Sequence, residues 1–101
     1  MPARTPLSAD AIAAALEGLD GWSVDGDRIV KELKFGSFRE ALAFLVRVGF
    51  EAEGMDHHPE ITNVYDRVTL ALATHDAGNK VTETDLELAR RIDALPGPTT
   101  R

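Results

Sequence analysis

Residues 68–75, Val-Thr-Leu-Ala-Leu-Ala-Thr-His, alternate cleanly between two faces. Val68, Leu70 and Leu72 fall on one side, and Thr69, Ala71, Ala73 and His75 on the other. A strand of this kind buries one face only, which suits an antiparallel sheet covered on one side. The small residues leading to His75 leave room on the second face for something flat.

The rest of the chain supplies elements that match. Leu7-Ser8-Ala9-Asp10-Ala11-Ile12 reads as a helix start, with Ser8 as cap, Asp10 at the positive helix end and Leu7 stapled onto Ile12. Ile12, Leu16 and Leu19 mark its inner face, and Gly18 and Gly21 help to end it. Trp22-Ser23-Val24 is a short strand, Asp25-Gly26-Asp27 a hairpin turn, and residues 28–35 the partner strand. In that partner, Ile29, Lys31, Leu33 and Phe35 share one side, against Val30, Glu32 and Lys34. Ser37 opens the longest helix, with apolar residues at Phe38, Leu42, Leu45, Val46, Val48 and Ala52. Its second apolar side, Phe44 and Val48, points to contact with another chain or else to cover by the chain's own sheet, and the edges of so small a sheet add to the case for a homodimer or homotetramer.

Pro59 forces the helix to stop, because the residue before a proline is pushed out of the α region. His57 is thereby expected near the last helical turn and His58 in extended backbone. Residues 60–65 form a third strand, Asp66-Arg67 a turn, residues 68–75 the fourth strand and residues 76–80 a loop. Thr82-Glu83-Thr84-Asp85 resembles a capping box that starts a last helix, with Leu86, Ala89 and Ile92 facing inward. The order α-β-β-α-β-β-α predicts an α+β fold: a four-stranded antiparallel sheet with three helices packed on one face. One domain over residues 1–101 is expected, its ordered core at about 7–95.

Composition narrows the function. The net charge of −6, with 11 basic against 17 acidic residues, opposes the positive surface that tracks phosphates, so direct nucleic-acid binding is not expected. No 18-residue apolar run suggests a membrane span, and the N-terminus lacks a signal-peptide pattern. With no cysteine at all, disulfides, thiolate metal sites and thiol nucleophiles drop out, which fits a reducing cytoplasm. There is no G-x-S-x-G elbow and no glycine-rich phosphate loop.

What remains is histidine. The chain has only three: His57 and His58 in Asp56-His57-His58-Pro59-Glu60, and His75 at the end of the alternating run. Imidazole both gives and takes a proton near neutral pH. Glu53 and His57, four apart, share a helix face and can interact. A helix C-terminus and a nearby carboxylate both favour the protonated ring, which makes His57 a candidate acid. His58 points elsewhere and can meet His75. Adjacent histidines diverge, and no further His cluster accompanies them, so no metal is expected. The plainer alternative has His57 capping its helix, His58 on the surface and His75 simply ending a strand. Trp22 then reads as a core anchor, and Asp85 as a cap.

Glu53-x-x-x-His57-His58-Pro59-Glu60, Asn63-Val64-Tyr65, Thr74-His75 and Asp85 together resemble the signature of the pterin-4a-carbinolamine dehydratases. Gly21-Trp22, Phe35-x-x-Phe38 and Leu86-x-x-Ala89 extend the resemblance over residues 7–95. It implies removal of water from 4a-hydroxytetrahydrobiopterin to give quinonoid dihydropterin, without a metal or redox cofactor. It implies that His57, His58 and His75 line the pterin site. Asp56, Pro59, Ala73, Thr74 and Asp76 then lie beside the substrate, partly through backbone, and Trp22, Glu53 and Asp85 border or support it. Within that frame His57 is the expected acid, His75 its partner or base, and His58 orients the ring. The resemblance also carries two other uses: an interaction module working through the long helix, and chemistry on a pterin of folate or molybdenum-cofactor metabolism.

Overall fold

The computed structural model describes residues 4–98. Its elements run α1 (Ala9–Leu16), β1 (Trp22–Asp25), β2 (Arg28–Lys34), α2 (Phe38–Met55), β3 (Glu60–Val64), β4 (Arg67–Leu72), a short 3-10 turn (His75–Ala77) and α3 (Glu83–Asp93). The four strands form one antiparallel sheet in the order β1-β2-β4-β3, so β3 is an edge and β4 lies inside. The predicted α+β architecture is the one observed.

Register explains which side is buried. Ile29 pairs with Leu72, Lys31 with Leu70 and Leu33 with Val68. Directly opposed residues of antiparallel strands point the same way, so these side chains form the helix-facing layer. Ile29, Val68, Leu70 and Leu72 are essentially inaccessible there. They pack with Phe35, Phe44, Val48, Leu86, Leu88, Ala89 and Ile92 in one apolar cluster. The opposite face carries Arg28, Val30, Glu32, Lys34, Glu60, Thr62, Thr69 and Ala71, and among the described residues no helix covers it.

Caps fix the helix starts. Ser8 Oγ accepts from Ala11 N–H at 3.1 Å, and Ser37 Oγ from Glu40 N–H at 3.2 Å. At α3, Thr82 and Asp85 form the reciprocal capping box that the sequence suggests. Among the described residues no helix is long and apolar enough to cross a membrane.

Three local expectations change. The fourth strand ends at Leu72 rather than His75; Thr74 makes an isolated bridge to Lys80, and His75 opens the 3-10 turn. The β3–β4 hairpin turns at Tyr65-Asp66, one residue earlier than Asp66-Arg67. Tyr65 there takes a left-handed φ of 53°, and the Asn63 side-chain amide donates to the carbonyls of Tyr65 and Arg67.

The third correction concerns α2. Phe44 and Val48 are not an outward side, for both are buried in the chain's own core, with Ala41 and Ala52. The outward stripe is Phe38, Leu42, Val46 and Phe50, each four residues from the next and from 44% to 73% exposed. The reason is the sheet: the 3.6-residue period leaves room for two apolar stripes on α2, and the sheet covers only one.

Candidate active site

Helix α2 ends in a reversal that decides where the adjacent histidines go. Asp56 is left-handed (φ 51°, ψ 44°). Its N–H donates to the Glu53 carbonyl at 3.1 Å, and His57 N–H donates to the Ala52 carbonyl at 3.0 Å. This pair of bonds is a Schellman closure, in a conformation that aspartate tolerates better than most residues. The turn takes His57 off the helix face it would share with Glu53 and drives it inward, to 6% exposure. The expected Glu53–His57 pair therefore does not form.

His57 instead meets Asp85, the third residue of α3 and the second member of its capping box. His57 Nε2 and Asp85 Oδ1 are 2.6 Å apart in buried surroundings. A carboxylate only accepts, so the Nε2 hydrogen is the donor and the tautomer is assigned by the partner. Asp85 Oδ2 accepts from Thr82 N–H at 2.9 Å and from Thr74 Oγ1 at 2.8 Å. The Thr74 and Thr82 hydroxyls are themselves 2.6 Å apart. All four side chains are buried, and no buried side-chain polar atom among the described residues lacks a partner. A buried carboxylate is tolerated only when its oxygens are this well satisfied.

The network has a positional consequence. His57 precedes His58 and Thr74 precedes His75, so one carboxylate anchors both histidine-bearing segments from behind. In front of it, His58 and His75 line one open hollow of about 360 Å³ with Arg28, Glu60, Ala71, Ala73 and Asn79. His58 Nε2 lies 2.9 Å from Glu53 Oε1 in an exposed contact. Among the described residues His75 makes no side-chain hydrogen bond or ion pair. The hollow lies on the face of the sheet that no helix covers. Its floor is the alanines whose small size the alternating pattern singles out.

The other expected residues divide. Ala73 lines the hollow, Thr74 belongs to the network behind it, and Pro59 is half-buried between His58 and Glu60. Asp56 is spent on the helix closure, and Asp76 is exposed in the 3-10 turn. Trp22 is not brought to the hollow. It is buried on the helix side, where its Nε1–H donates to Asp93 at 2.9 Å and Lys31 Nζ stands 5.9 Å over its ring. Asp93 is the last residue of α3 and Asp85 lies in its first turn; eight residues of helix separate them by about 12 Å. Among the described residues no three His, Cys, Asp or Glu side chains are grouped to hold a metal ion.

Arg28, Glu60 and Asn79 also line the hollow, and Thr82, expected as a helix cap, joins the network as well. Glu60 stood within the His-His-Pro-Glu motif. Continuing the Val30, Glu32, Lys34 alternation back by one step puts Arg28 on the same face. The capping-box pattern places Thr82 beside Asp85; nothing in the sequence flags Asn79.

The model of the pterin 4 alpha carbinolamine dehydratase family matches residues 5–95. The chain belongs to this family. An Opitutus terrae protein provisionally named pterin-4-alpha-carbinolamine dehydratase is 55% identical over 91 residues, 90% of this chain and 94% of the relative. A Streptomyces coelicolor protein of the same provisional name is 44% identical, covering 94% and 93%. A crystal structure described as a transcriptional coactivator/pterin dehydratase from Brucella melitensis superposes with TM-score 0.84 at 42% identity, over 89% of this chain and 97% of that one. A pterin dehydratase-like protein described as a RuBisCO assembly factor in the alpha-carboxysome is more distant, at TM-score 0.60 and 26% identity, covering 77% and 89%. The family takes its name from a carbinolamine, a carbon bearing both hydroxyl and nitrogen. Removing water from such a centre is proton-transfer work, which the imidazoles of the hollow are equipped to do.

Proposed function

We propose that the protein dehydrates 4a-hydroxytetrahydrobiopterin, or a related 4a-hydroxytetrahydropterin, by general acid–base catalysis. In the reaction a proton is delivered to the C4a hydroxyl and the C–O bond breaks, its electrons leaving with water. The lone pair of the neighbouring ring nitrogen closes a C=N bond, and the proton on that nitrogen is removed. Carbinolamine and imine stand at the same oxidation level, so no electrons enter or leave. General acid–base assistance of this kind is worth roughly 10²- to 10⁴-fold.

The observation that carries the reading is the shared hollow of His58 and His75. Between them they deliver one proton and remove another. His57 has its Nε2 committed to buried Asp85, so its part is to position the His57-His58 turn rather than to be the acid. Glu53 aims His58, and the backbone at Pro59, Ala73, Thr74 and Asp76 borders the substrate. Decay of a chemically generated 4a-hydroxytetrahydropterin, followed with and without the protein, tests this directly.

A second reading rests on the α2 stripe. Phe38, Leu42, Val46 and Phe50 present an apolar surface to solvent, and two solved relatives carry descriptions of coactivator and assembly factor. On that reading the protein binds another protein through α2. A variant set that abolishes partner capture while substrate decay is unaffected by any form of the protein would favour it.

A further inference from the structure

The open hollow contains an ion pair that the proton-transfer chemistry does not use. Arg28 Nη1 donates to Glu60 Oε2, and Arg28 Nη2 to Asp25 Oδ2 at 3.3 Å. Arg28 starts β2, Glu60 starts β3, and β4 runs between them. Val30 and Glu60 both pair with Ala71, and Ile29 pairs with Leu72, which sets Arg28 level with Ala73. To reach Glu60 the guanidinium must therefore pass over Ala71 and Ala73, the floor of the hollow. A planar cation lies where a flat ligand would have to lie.

We propose that Glu60 recognises the 2-amino–N3 edge of the pterin ring, and that the Arg28 guanidinium is an internal stand-in for that edge. The proposal deepens the dehydratase reading and rests on it. A guanidinium presents parallel N–H donors that a carboxylate accepts side by side. The C2 amino group and N3–H of a 2-amino-4-oxopteridine form a cyclic guanidine with the same donor spacing. Arg28 gives Glu60 one such donor, its other Nη going to Asp25; the pterin edge supplies two. Arg28 and Glu60 side chains are 41% and 64% exposed, and exposed pairs of this kind contribute little to stability, so exchange is easy. Asp25 keeps a partner for the displaced guanidinium. C4a lies opposite C2 across the pyrimidine ring, so an edge held at Glu60 turns the reacting carbon inward along the hollow that His58 and His75 line.

The test compares two oxidised rings by fluorescence titration: pterin, and lumazine, which has oxygen in place of the 2-amino group. Two charge-assisted hydrogen bonds predict that the wild type prefers pterin by roughly 10- to 100-fold. Glu60→Gln replaces one acceptor with a donor, which suits the N3–H and C2 carbonyl of lumazine. It should lower pterin affinity by a similar factor and narrow or reverse the preference. It should also raise KM for the carbinolamine with kcat largely kept. Glu60 is exposed, so an unchanged Tm confirms that the variant folds. A Glu60→Gln variant with the wild-type preference and the wild-type KM overturns the proposal while the dehydratase reading stands. A wild type that binds neither ring and leaves the carbinolamine untouched overturns both.

Discussion

Thr74 Oγ1 donates to Asp85 Oδ2 at 2.8 Å across eleven residues, and the other oxygen of the same carboxylate holds His57. Asp85 is thus at once the capping-box partner of Thr82 and the common anchor of two backbone segments whose next residues are His58 and His75. Stability and site geometry meet in one side chain.

Asp85→Ala is expected to cost about 3–5 kcal/mol, because it leaves His57, Thr74 and Thr82 without their buried acceptor. For a domain of this size that lowers Tm by at least about 10 °C. Calorimetry checks the number; a fall of only a degree or two would mean that the network is not formed.

The three histidines should not behave alike. His58 and His75 are exposed and His57 is buried. His58→Ala and His75→Ala should leave Tm nearly unchanged and cut carbinolamine dehydration by roughly 10²- to 10⁴-fold. His57→Ala should lose both activity and stability. Melting curves and rates measured on the same three preparations separate these outcomes.

This division was only partly legible in the sequence. Strand alternation from Val68 to Leu72, the Pro59 stop and the capping box at Thr82–Asp85 lead to the right fold, because each is a local rule that tertiary contacts leave in force. Helical spacing pairs Glu53 with His57, but the left-handed turn at Asp56 ends that spacing before His57 is reached. Trp22 was linked to the site by resemblance, yet its indole is bonded at the far end of α3. On α2, periodicity shows that two apolar sides exist, not which one the sheet covers.

The Lys34–Asp66 pair should give a measurable acid response. The Lys34 ammonium, hydrogen-bonded to Asp66 at 2.9 Å, holds its carboxyl below the usual carboxylate range. A group whose folded value is depressed adds stability above its unfolded value, near pH 3.9, and loses it as pH falls through the folded one. Asp66→Asn should flatten the part of the Tm profile that falls as pH drops below the unfolded carboxylate value. A profile identical to the wild type would contradict the coupling.

Phe38, Leu42, Val46 and Phe50 are expected to be covered by a second copy of the chain in solution. An apolar helical stripe of this length is costly to leave in water. Light scattering should therefore return a mass above the 11.0 kDa of one chain. Val46→Glu with Phe50→Glu should return that of the monomer. A wild-type monomer at micromolar concentration would rule this out.

The most direct measurement is stopped-flow absorbance of a 4a-hydroxytetrahydropterin mixed with the purified, folded protein. Catalysis by His58 and His75 predicts decay at least about 10²-fold faster than in buffer, returned close to the uncatalysed rate when both are alanine. Decay at the buffer rate with the wild type, or full acceleration by the double variant, would contradict it.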